Sequence, residues 1–117
     1  MGEQNNSLSI IMKRITDYLK ELKHVAEIST PRPNSITVKF AQLNEETGEF
    51  DLSYYFLITI TKIDFGEEAK GYAILVRSVK DRDSIHVEDE HSLLARTEEE
   101  AIEILKNIYV DFKVRRL

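Results

Sequence analysis

Between Phe50 and Phe65 the side chains alternate without interruption: Leu52, Tyr54, Phe56, Ile58 and Ile60 fall on one side of an extended backbone, and Ser53, Tyr55, Leu57, Thr59 and Thr61 on the other. A period of two is a strand's signature, and the first of these sides is apolar enough to demand a core. At about 3.3 Å per residue the segment outruns the usual strand of about 3 to 10 residues, so it needs a bend, a bulge or a projecting hairpin. A strand this long and this apolar in mid-chain puts a sheet at the centre of the fold.

The flanking segments supply its neighbours. From Ser35, Ile36, Val38 and Phe40 alternate with Thr37, Lys39 and Ala41, and the stretch Asn44-Glu45-Glu46-Thr47-Gly48 reads as a hairpin connection in which Gly48 can take a positive φ. The two strands therefore pair antiparallel. After a turn at Gly66 to Gly71, Tyr72, Ile74 and Val76 alternate with Ala73, Leu75 and Arg77. Lys80 to Ser84 turns the chain once more, and Ile85 and Val87 open a last strand that becomes very polar. On the N-terminal side, Val25 to Thr30 forms a short strand before Pro31-Arg32-Pro33-Asn34, where two prolines remove amide donors and turn the backbone.

Helical periodicity bounds this set of strands at both ends. Leu8, Ile11, Met12, Ile15, Tyr18, Leu19 and Leu22 recur every three or four residues, with Ser7 in position to cap them. Near the other terminus Thr97-Glu98-Glu99-Glu100 has the form of a capping box, and Ala101, Ile104, Leu105, Ile108 and Phe112 make the stripe that follows. The order predicts a two-layer α+β fold: an N-terminal helix, an antiparallel meander of four to five strands, and a C-terminal helix packed on the same sheet face. A length of 117 residues suits one such domain over 1–117, with 1–6 expected as a flexible lead.

Composition then removes whole classes of function. The absence of cysteine excludes disulfides, thiolate metal sites and cysteine nucleophiles, and fits a reducing, cytoplasmic setting. The first residues lack a signal-peptide core, Asn6 stands where a myristoylation signal needs Ser or Thr, and no run approaches the about 20 apolar residues of a membrane span. Glycines at 2, 48, 66 and 71 cannot form a phosphate loop, and no serine or histidine sits in a nucleophile motif. No catalytic residue, cofactor or metal is therefore assigned. The net charge of −5 is carried by one stretch, Asp81 to Glu100, with eight acidic residues against two arginines. Such a chain is a poor ligand for phosphate backbones, which need clustered Lys and Arg. Tyr55, Lys39 and Arg77 resemble an RNA-reading sheet only faintly, since the glycine-containing aromatic motif and the strand–helix order of that family are both absent.

Two surfaces remain. The acidic segment centres on Glu88, Asp89 and Glu90, whose field suits a basic protein partner. The same strand offers an alternative: His86, Glu88 and Glu90 would project together if the strand were regular, with His91 beside them, as a small-ligand or divalent-metal site that leaves an enzymatic role open. The second surface is the sheet face opposite the core. There Tyr55, Leu57 and Leu75 would stand exposed unless a second copy, packed face to face as a homodimer, covered them. The sequence thus predicts a small, acidic, cytoplasmic protein-binding module of the adaptor, inhibitor or immunity type, working by contact without catalysis.

Overall fold

A computed structural model describes residues 12–64, 66 and 70–116, the side chain of residue 116 excepted. The elements run α1 (Lys13–Lys20), β1 (Val25–Arg32), β2 (Ser35–Asn44), β3 (Glu49–Asp64), β4 (Lys70–Asp81), β5 (Ile85–Ala95) and α2 (Glu98–Arg116). The strands lie in one sheet in chain order, each antiparallel to the next. This is the expected α+β meander between two helices.

Register turns the alternation of each strand into rows across the sheet. Ile36, Ile60, Ile74 and Leu93 stand side by side from β2 to β5, and Val38, Ile58, Val76 and His91 form the next row. The helices close over these rows. Met12, Ile15 and Leu19 of the N-terminal segment and Ala101, Leu105, Ile108, Tyr109 and Phe112 of α2 join the inner sheet face in a single core. Phe112 is its centre: the ring is fully buried, with centroids 5.2 Å from Phe56 and 6.2 Å from Phe40. Truncating so large a side chain to alanine costs about 3–5 kcal/mol in sites of this kind. The His24 amide donates to the Tyr109 hydroxyl at 3.0 Å and so ties the α1–β1 connection to α2.

Local chemistry explains the boundaries. Gly48 takes φ +76° in the β2–β3 turn, where the Asn44 side chain accepts from the amides of Glu46 and Thr47. At the start of α2 the Glu100 amide donates to Thr97 Oγ1 at 3.1 Å, while the Glu100 carboxylate accepts from the Arg96 amide at 2.7 Å. The capping box is present, its return bond made one residue before the cap. Helix α1 starts after Met12 with no side-chain cap, and Ser7, Leu8 and the lead at 1–6 lie outside the described residues.

Two features depart from the sequence reading. Strand β1 runs on through Pro31 to Arg32, which an edge strand tolerates because proline needs no partner on the open side. Leu52, expected on the core face, is 45% exposed. The cause is a shift in the β2–β3 register, which passes from Ala41 opposite Tyr55 to Gln42 opposite Asp51 and so skips 52–54. This irregularity is the bend that the length of β3 required.

Candidate functional site

Strand β5 is the least covered part of the sheet. Every residue from Ile85 to Leu94 is exposed, and only Ala95 is buried. Because β5 ends the sheet, the backbone groups on its outer side have no strand partner among the described residues. Beside it, between β5 and α2, runs a groove of about 310 Å³ floored by Phe56 and Val76 and walled by Leu93, Ile104 and Ile108.

The acidic segment lies in the middle of this strand, but not as a regular alternation would place it. On β4, Ser78 faces Asp89 and the next residue, Val79, faces Val87, which leaves Glu88 as an extra residue in a β-bulge. Beyond the bulge the faces exchange. His86 stands opposite Lys80 on the helix side, while Glu90 stands opposite Arg77 on the open side. Glu88 bonds Lys80 at 3.0 Å and Glu90 bonds Arg77 at 2.8 Å. The set His86, Glu88 and Glu90 is therefore divided between the two faces. Among the described residues no group of three or more His, Asp and Glu converges as metal ligands would.

The open sheet face corrects a second expectation. Tyr55 is buried, 6% exposed, within the chain itself. It belongs to a small cluster with Ala41 and Val79, against which Ala26, Phe50 and Leu57 pack, and the Lys39 ammonium sits 4.9 Å from its ring centre. Leu57 and Leu75 are half-buried. Leu57 occupies a row that reads Glu27, Lys39, Leu57, Arg77, Glu90 from one edge to the other, with ion pairs at both ends. Threonines 37, 59 and 61 populate much of the rest. That cluster and the Lys39 side chain shield Tyr55 within the chain, so a face-to-face homodimer is not needed to cover it. The large apolar side chains left open on this side of the sheet stand at its β5 edge, with Ile85 69% and Leu94 76% exposed.

His24 is the titratable group that sequence reasoning missed. Only 7% exposed, it lies against the rings of Tyr109 and Phe112, and its Nδ1 has no hydrogen-bond partner. Burial lowers its pKa first, with Lys23 and Lys113 acting in the same direction and the Ala41 backbone and Glu45 opposing them. Its burial among these rings gives it the character of a core histidine. The sequence holds no sign of it beyond its place after a helix.

No described helix is long and apolar enough to cross a membrane. Comparison with protein-family models, with curated proteins and with solved structures yields no match.

Proposed function

We propose that this chain is a small cytoplasmic protein-binding module, an adaptor, inhibitor or immunity-type factor, whose working surface is β5. The observation that supports the reading is the exposure of that strand on both faces over nearly its whole length. A strand that adds so little to the core has its side chains free for contact.

Glu88, Asp89 and Glu90 set the chemistry of the partner, which is basic. Their pairs with Lys80 and Arg77 are solvent-exposed, and such pairs contribute about 0–1 kcal/mol, so an incoming Lys or Arg competes for the carboxylates at little cost. Leu57 and Leu75, half-buried on the adjoining strands, extend the contact on the open side. Tyr55 supports that surface from beneath.

The test is an NMR titration of the isotope-labelled protein with octalysine at low salt. Amide shifts should concentrate at 86–91 and fade as salt shortens the screening length. In the variant E88Q/D89N/E90Q they should disappear, while the melting temperature changes little. Shifts spread evenly over the acidic residues of both helices and β5, or retained in the triple variant, would refute the assignment.

A further inference from the structure

The two edges of the sheet are built differently. β1 carries Pro31 and two register shifts, devices that discourage pairing with another chain, where β5 carries a single bulge. β5 has neither proline nor glycine in its eleven residues, and its outer backbone is open. We propose that β5 pairs antiparallel with β5 of a second copy about a two-fold axis at Glu90, joining two five-stranded sheets into one.

The occupant is identified by the strand's own pattern. The bulge places Ile85, Val87, Glu90, Ser92 and Leu94 on the open side, and His86, Asp89, His91 and Leu93 on the helix side. With the axis at Glu90 and Glu88 kept as the bulged residue, Leu94 meets Ile85 of the second copy. Ser92 then meets Val87, Leu93 meets His86, and His91 meets Asp89, always on matching faces. The two most exposed large apolar side chains of the strand thus cover each other, and imidazole meets carboxylate. Displacing the axis loses this. At His91 it sets Leu93 against Asp89 and His91 against its own copy; at Asp89 it leaves Leu93 and Leu94 beyond the paired strand.

Charge, the obvious objection, is largely met inside each copy. Glu90 approaches its symmetry mate already bonded to Arg77, and Glu88 to Lys80, while Asp89 gains His91. The contact is isologous, as a two-fold requires. It also continues the sheet floor beside the groove. Asn107 lines that groove, and Val110 and Val114, both exposed, extend its stripe along α2 at helical spacing.

A chain without cysteine makes the register directly readable. Light scattering after size exclusion should give twice 13.6 kDa for the parent protein and 13.6 kDa for Leu94→Lys, with unchanged circular dichroism because that side chain is exposed. Glu90→Cys, on the axis, should give a covalent dimer on mild oxidation, whereas Thr59→Cys on the open sheet face should not. A parent mass of 13.6 kDa at all concentrations would overturn the proposal, and so would a dimer joined through position 59 but not 90. Octalysine binding reads the acidic side chains separately: its loss would leave the dimer assignment standing, and its persistence in Leu94→Lys would leave the proposed function standing.

Discussion

The edges β1 and β5 close the same sheet, yet one is attached to the body of the protein and the other projects from it. β1 is held from both directions: Val25 and Ile28 pack against the main core, and Ala26 against the small cluster on the open face. The chain just before it is bonded to Tyr109 of α2 through His24, whose carbonyl also accepts from the Ala41 amide. β5 has the full ladder to β4 but almost no side-chain burial. Equal membership in a sheet is therefore not equal membership in a core. A strand held mainly by its backbone bonds can present both of its faces to other molecules, and one anchored by buried side chains cannot.

The sharpest test of this difference contrasts core-facing and edge positions. Phe56→Asp buries an unpaired charge beneath Phe112 and should abolish folding, a loss above about 4 kcal/mol. Tyr55→Asp should come close to it, because the open face hides Tyr55 as well. By contrast, Leu94→Asp should change the free energy of urea unfolding of the monomer by less than about 0.5 kcal/mol. If Tyr55→Asp were as mild as the Leu94 variant, the small cluster would not hold the open face.

A smaller effect should separate the edges directly. Gly71 is required where β4 passes β5: a Cβ there would lie 2.4 Å from the Ala95 carbonyl oxygen, which is backbone and cannot swing aside. Gly71→Ala should cost about 1–3 kcal/mol. Hydrogen exchange should quicken in the amides of β4 and β5 that bond one another, more than in β1. Uniform quickening would mean that the two edges open together.

The smallest effect belongs to the β1 side. Because burial holds the His24 pKa below its ordinary value, the unfolded chain binds a proton that the folded chain refuses. His24 thus contributes nothing adverse above the ordinary imidazole value of about 6.5. Its destabilising effect grows as pH falls beneath that value and levels off below the folded-state pKa. Urea midpoints against pH, compared between the parent and His24→Gln, should diverge in that window with the parent losing more. A parent that gained on the variant as pH fell would reverse the sign and refute the buried, neutral imidazole.

Most of the fold was legible because it rests on periodicity. The alternation around Phe56, the stripe ending at Phe112 and the Thr97 capping box each name an element, and chain order then dictates the meander. What escaped was whatever depends on an interruption of period. In β5 the residues from Glu88 to Ser92 are all polar, so a bulge at Glu88 leaves no trace in the hydrophobic pattern, and the set His86, Glu88, Glu90 looked aligned when it is divided. Leu52 kept the rhythm of β3 past the point where β2 stops following it. Tyr55 is hidden by Phe50 and Ala26, and no local pattern says which neighbours come to rest on a given face. The acidic character of the candidate surface was visible in composition alone; its pairing with Arg77 and Lys80 required the register.

The order of strands in the sheet also governs how the chain reaches its final form. Each hairpin can close with its immediate successor, so loop-closure entropy stays low and the meander can grow strand by strand as the chain leaves the ribosome. The aromatic centre of the core cannot: Phe40 and Phe56 wait for Phe112, which is made last. Until α2 docks, the part of the inner sheet face that Phe112 covers stays wet.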